Sequence, residues 1–220
     1  MAARHFLIPL ALVAGAISVT GPALAERVVL APIPALSIAP SSTREVAIFA
    51  GGCFWGVEGV FEHVRGVSSA VSGYAGGKGA RPTYDTVSGG STGHAEAVRV
   101  TYDPRVVRYS DLLRIYFSVV ADPTTLNAQG PDRGPQYRTA LFPTSAAQEK
   151  QVRAYIAQLS RQRVFDRPIV TRIESLRGFT PAEAYHQDYM RKHPNAGYIV
   201  ANDRPKVIAL KRLFPKSYRG

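Results

Sequence analysis

From Glu45 onward, apolar residues come in short blocks whose spacing switches between the period of strands and that of helices. Residues 45–50 read as a strand, Glu-Val-Ala-Ile-Phe-Ala, which the pair Gly51-Gly52 breaks. Over residues 53–64, Phe54, Val57, Val60, Phe61 and Val64 fall on one helix face. Strands are predicted at 67–74 and 95–102, with a loop rich in Gly, Pro and Ser between them. Residues 109–120 return to helical spacing, with Ser110 placed as a cap. A loop rich in Pro, Asp and Gly covers 122–135. A strand at 137–142, a helix at roughly 144–160 and a strand near 169–173 follow. A helix is predicted from Pro181 to about Arg191, with Thr180 as its cap and proline at the first helical position.

The order β-α-β-β-α-β predicts an α+β fold. It is a two-layer sandwich with a ferredoxin-like core, a mixed or antiparallel sheet, extra C-terminal helices and long coil segments. The first residues follow another pattern. Arg4 and His5 precede an apolar run over 6–19, and Ala23-Leu24-Ala25 follows. A basic start, a short apolar core and an A-x-A end predict a signal peptide over residues 1–25. The run is too short for a comfortable membrane span, so no span is expected after cleavage. Export is therefore expected, with the bacterial periplasm as the compartment. Pro32, Pro34, Pro40 and Ser41-Ser42 make residues 26–44 an expected extended linker, leaving 45–220 as a single catalytic domain.

The formal net charge of +11 changes the picture little. A basic balance favours acidic partners, but Lys and Arg are dispersed and no run of five occurs. The most basic stretch, residues 204–219, reads as a solvated helix face and tail. No nucleic-acid partner is expected.

Cys53 is the only cysteine, so the chain cannot close an internal disulfide. A lone cysteine is either a small buried hydrophobe or a reactive thiol. Here it follows two glycines and opens a predicted helix. Unsatisfied N–H groups and the positive end of the helix dipole then favour the thiolate, so the thiol pKa is expected to fall from ~8.5 toward neutrality.

The string Gly51-Gly52-Cys53-Phe54-Trp55-Gly56 closely resembles the signature of the methionine sulfoxide reductase A family. Further blocks resemble that family in the same order: Gly73-Tyr74-Ala75-Gly76-Gly77, Pro82-Thr83-Tyr84 and Thr92-Gly93-His94-Ala95-Glu96. So do Asp122-Pro123-Thr124, Asp132 with Gly134, Gln136-Tyr137-Arg138 and Tyr185-His186-Gln187. The resemblance implies that Cys53 attacks the sulfoxide sulfur and that Glu96 is the acid. It implies Tyr84 and Tyr137 as donors to the oxygen, Asp132 as a further catalytic residue, and Phe54 and Trp55 as the substrate's aromatic walls. It also implies the (S) epimer, with free methionine sulfoxide or oxidised proteins as substrate. No metal or cofactor is implied, and a monomer is expected.

The sequence departs from the family in three places. No resolving cysteine is present, so the Cys53 sulfenic acid requires an external reductant: a thioredoxin-like or glutaredoxin-like oxidoreductase, or a small-molecule dithiol. Ala121 stands where many relatives have histidine, and Pro131 precedes Asp132 where asparagine is common. His94, two positions from Glu96, and His186 read as structural histidines. A thiol peroxidase, or an acyl-transfer enzyme using Cys53 with His94, accounts for the thiol but leaves Glu96 and the paired tyrosines unused. A basic binding module leaves Cys53 unused as well.

Overall fold

The computed structural model of the chain describes residues 28–220 apart from 41 and 80. The expected signal peptide lies outside the described residues. The first strand, β1 (Glu45–Gly51), leads into helix α1 (Phe54–Glu62) and strand β2 (Val67–Ala75). A short helix α2 (Tyr84–Ser88), absent from the sequence reading, precedes strand β3 (Ala95–Tyr102). Helix α3 (Tyr109–Ile115) runs into a π-helical turn, Tyr116–Val120. A small hairpin, β4 (Ala128–Gln129) with β5 (Asp132–Arg133), and a 3₁₀ turn, Pro135–Tyr137, lead to β6 (Thr139–Phe142). Helix α4 (Ala146–Arg161) follows, then β7 (Arg172–Ile173) and β8 (Phe179–Pro181). The chain ends with helices α5 (Tyr189–Lys192) and α6 (Arg204–Leu213).

The main sheet has the order β7-β6-β1-β3-β2-β8. Its four central strands are antiparallel neighbours, β6-β1-β3-β2, with α1 and α3 in the connections. That is the ferredoxin-like β-α-β-β-α-β core, and among the described residues only the β6–β7 pairing is parallel. Alternate residues of β1 serve the two faces. Ala47 and Phe49 join the main core with the helices, where Phe49 stacks on Phe61 at 4.7 Å and Tyr116 at 5.6 Å. Ile48 and Ala50 join a smaller core with Ala97, Phe142, Leu176 and Phe179. With both faces covered, the strands read as nearly continuous apolar runs.

Several boundaries differ from the sequence reading. Cys53 caps α1 rather than lying within it, and α3 is capped by Arg108, whose N–H is held by Asp111. The helix expected over 181–191 does not form. Thr180 instead pairs with Tyr74 in the edge strand, and only a 3₁₀ turn, Ala184–His186, and the four-residue α5 follow. Side chains hold this segment open. Gln187 bonds both backbone groups of Ser72, and Glu183 accepts from Tyr74 Oη and the Tyr84 N–H.

Residues 28–39 contain no helix or strand, but they are not a slack linker. Ala31 is fully buried; its N–H donates to Ser118 Oγ and its carbonyl accepts from Arg114 Nε. Tyr155 Oη donates to the Pro32 carbonyl at 2.7 Å. The Gln158 carboxamide accepts from the Ala35 N–H and donates to the Ile33 carbonyl, imitating a neighbouring strand. Side-chain partners on α3, its π turn and α4 thus turn a proline-rich stretch into a strap. Tyr155→Phe removes one of these bonds. It is expected to cost about 1 kcal/mol and lower the thermal midpoint by about 2–4 °C. Calorimetry with limited proteolysis checks this: an unchanged midpoint and no added cleavage within 28–40 would mean that the bond contributes nothing.

Candidate active site

The site begins where β1 runs out. Tyr116 Oη donates to the Ala50 carbonyl at 2.7 Å and pins the strand end. Gly52 then turns the chain at φ 87°, where a Cβ would come within 2.6 Å of Gln129. This turn places Cys53 at the N-cap of α1, half-buried.

The first free N–H of α1, that of Phe54, donates to Glu96 Oε2 at 2.9 Å. Glu96 shares its face of β3 with Val98 and Val100, the face on which α1 packs, and it is 2% exposed. Burial pushes its carboxyl up to about 8, Asp132 and Asp203 add to the rise, and the Phe54 N–H opposes it. At neutral pH Glu96 is therefore mainly a proton donor.

Tyr84 opens α2, where Thr83 and Thr86 form a reciprocal cap and Glu183 holds the Tyr84 N–H at 2.9 Å. Tyr137 ends the 3₁₀ turn before β6. Burial raises both phenols, and the charges of Glu96 and Cys53 raise them further. Thiol, acid and both phenols therefore share one electrostatic neighbourhood.

Trp55 is fixed on three sides. Tyr189 stacks on it with centroids 3.7 Å apart, Tyr198 meets it edge-on at 5.9 Å, and its indole N–H donates to His186 Nδ1 at 3.2 Å. Phe54 is only 1% exposed and packs against His186 and Tyr74, so its ring is covered by the protein rather than facing open space. Asp132 lies on β5 and accepts a short hydrogen bond from Tyr198 Oη.

The Cys53 thiol departs from expectation. Its pKa is raised well above the ordinary value, first by burial, then by Glu96, Asp203 and Asp132; the Trp55 N–H alone pulls it down. The helix end is real, but its leading N–H serves Glu96, and carboxylates surround the sulfur. Part of this penalty vanishes while Glu96 holds its proton.

Sequence reasoning missed Tyr198, Tyr189 and Asp203 as members of the site. Asp203 is 1% exposed and its carboxylate abuts Gly56, where any Cβ would overlap it. The glycine after Cys53-Phe54-Trp55 was a signal that something packs there. His186 is structural as expected, at the centre of a ring cluster with Phe54, Trp55 and Tyr84. His94 packs on Gly77 and makes no hydrogen bond to Cys53. Among the described residues, no three His, Cys, Asp or Glu side chains gather as metal ligands, and no helix is long and apolar enough to cross a membrane.

Comparison with known proteins agrees with this geometry. A family model described as peptide methionine sulfoxide reductase matches residues 45–217. A Mesorhizobium japonicum protein named peptide methionine sulfoxide reductase MsrA 2 is 55% identical over 180 residues, covering 82% of this chain and 91% of that protein. A Deinococcus radiodurans protein named peptide methionine sulfoxide reductase MsrA is 50% identical, covering 82% and 87%. Among solved structures, Mxr1 of Saccharomyces cerevisiae in reduced form superposes with TM-score 0.64 at 32% identity, over 74% of this chain and 92% of that one. Methionine sulfoxide reductase A of Corynebacterium diphtheriae does so with TM-score 0.60 at 28% identity, over 78% and 85%. With thiol, buried acid and paired phenols converging at the start of α1, the chain belongs to the peptide methionine sulfoxide reductase family, A type, whose members reduce methionine (S)-sulfoxide.

Proposed function

We propose that Cys53 is the nucleophile and Glu96 the acid, and that the cycle closes on an external thiol. The observation that carries this reading is the bond from the Phe54 N–H to Glu96, which sets a protonated carboxyl beside the start of the helix that bears the thiol. The Cys53 thiolate attacks the sulfoxide sulfur while Glu96 protonates the oxygen. Tyr84 and Tyr137 donate to that oxygen as charge develops on it. Oxygen passes to Cys53 as a sulfenic acid, and methionine leaves with its sulfur reduced by two electrons. Trp55 walls the pocket for the substrate methyl group. Asp132 orients Tyr198 at its edge. The substrate is a methionine (S)-sulfoxide, free or within a protein. With one cysteine in the chain, the sulfenic acid is returned to the thiol by an outside thiol through a mixed disulfide.

Turnover of separated (S) and (R) methyl sulfoxides with dithiothreitol tests this. Wild type should reduce the (S) form, Cys53→Ser should be inert, and Glu96→Gln should lose about 10²–10⁴-fold in rate. Activity confined to the (R) form, or turnover by Cys53→Ser, would sink the scheme.

The pH dependence follows from the two raised groups. The reactive ionisation holds one proton, on Glu96, and leaves Cys53 as thiolate. Glu96 titrates at about 8 and Cys53 higher, so the singly protonated pair is most populated at alkaline pH. The kcat/KM profile should rise through about pH 8 and fall beyond the thiol's own titration. Glu96→Gln should lose the falling limb and keep one rising limb from the thiol. An acidic optimum in wild type would contradict this assignment.

A further inference from the structure

One buried acid takes no part in the sulfoxide chemistry. Glu58, one turn of α1 beyond Trp55, is only 2% exposed. A carboxyl in so dry a place is costly unless donors meet it. Both of its oxygens are met by backbone. Oε1 accepts from the Ser72 N–H of β2 at 3.4 Å, and Oε2 accepts from the Asp188 N–H at 3.1 Å.

The second bond reaches the residue that starts α5. Asp188 is left-handed at φ 55°, a conformation that a residue with a Cβ keeps only where its surroundings hold it. Its carboxylate pairs with Arg191 at 2.9 Å and Lys192 at 3.4 Å, which closes the short helix on itself. The backbone of the turn is fixed from two sides, by Glu58 on Asp188 and by Gln187 on Ser72. The next two residues also land on α1. Tyr189 stacks on Trp55 at 3.7 Å with the rings 7° from parallel. Met190 covers Gly59, where an added Cβ would overlap it. Residues 55, 58 and 59 are spaced i, i+3, i+4, so a single stripe of α1 receives residues 188–190.

Resting on the reading that Trp55 walls the pocket for the substrate methyl group, we propose that Glu58 is a positioning residue for substrate binding. It holds the turn at Asp188 so that Tyr189 lies flat on Trp55 and the wall keeps its place. Glu58 itself touches neither the substrate nor the reacting atoms; it acts through one N–H, one turn and one ring. A wall that meets the methyl group and not the oxygen binds ground state and transition state alike, so its loss appears in KM rather than kcat.

Trp55 is the only tryptophan of the chain, so its emission reports on the wall directly. The test compares Glu58→Ala, Tyr189→Ala, their double variant and Trp55→Ala with wild type, all as full chains. Steady-state reduction of N-acetyl methionine (S)-sulfoxide with dithiothreitol is measured for each, and emission for each that keeps the tryptophan. Glu58→Ala is expected to move the emission maximum to that of Tyr189→Ala. It should raise KM about two- to tenfold, the size of one aromatic stack, and change kcat less than about threefold. The double variant should match Tyr189→Ala with no further loss, because both changes remove the same contact. Additive losses in the double variant, or an unmoved emission in Glu58→Ala, mean that Glu58 supports the fold and not the wall, and the proposal fails. A loss confined to kcat sinks it as well. If Trp55→Ala leaves KM unchanged, the wall reading itself is wrong; if Trp55→Ala raises KM and Glu58→Ala does not, only this proposal is. Glu58→Leu fills similar space without an acceptor and must behave as Glu58→Ala. It decides alone if the alanine variant shows no thermal transition.

Discussion

One hydrogen bond organises the active end of this molecule: the N–H of Phe54 on a carboxyl oxygen of Glu96. It joins the first turn of α1 to the start of β3, two elements far apart in sequence. An ionised carboxylate in so dry a place carries a large desolvation penalty, and two other acids lie near. The protein meets that penalty in two ways. It offers a helix N–H to the anion, and it lets the group keep its proton through neutrality. The second answer is the one the proposed mechanism uses, in which a protonated buried acid serves the sulfoxide oxygen. The glycine turn at residue 52, the Tyr116 hydroxyl on Ala50 and the pairing of β2 with β3 all keep this bond in register.

The same arrangement sets the character of the thiol. A helix N-terminus normally promotes a thiolate, but its influence is shared here between sulfur and acid. Burial and three carboxylates then leave Cys53 more reluctant to ionise than a free cysteine. Thiolate character rises when Glu96 is protonated and the surrounding negative charge falls. In the proposed mechanism the acid therefore acts on the thiol as well as on the oxygen.

Much of this was legible in the sequence, for identifiable reasons. The central strands and α1 announced themselves through period and paired glycines, because buried faces repeat. Cys53, Glu96, Tyr84, Tyr137 and Asp132 are singled out by their resemblance to family motif blocks, and they share one electrostatic neighbourhood near the first turn of α1. What the sequence hid were features built by long-range side-chain bonds. Glu183 and Gln187 spend their side chains on β2 and α2, so a stretch with helical appearance stays open. Gln158, Tyr155 and Arg114 convert a proline-rich stretch that looked slack into a docked strap. The thiol's raised pKa was hidden for the same reason: Asp203 is far from Cys53 in the chain, and only the missing Cβ of Gly56 hinted at it.

The strap also bears on how the molecule can be handled. Its first described residue, Val28, lies on the rim of a cavity that reaches Cys53, whereas the last residues bond to Glu62 and His63 at the opposite end of α1. A purification tag, dye or surface linker joined just ahead of residue 28 would be delivered to the mouth of the reactive centre. The same attachment at the C-terminus would sit one helix length away, about 13 Å at 1.5 Å per residue. For immobilising or labelling this enzyme, the tail is the neutral handle and the head is not.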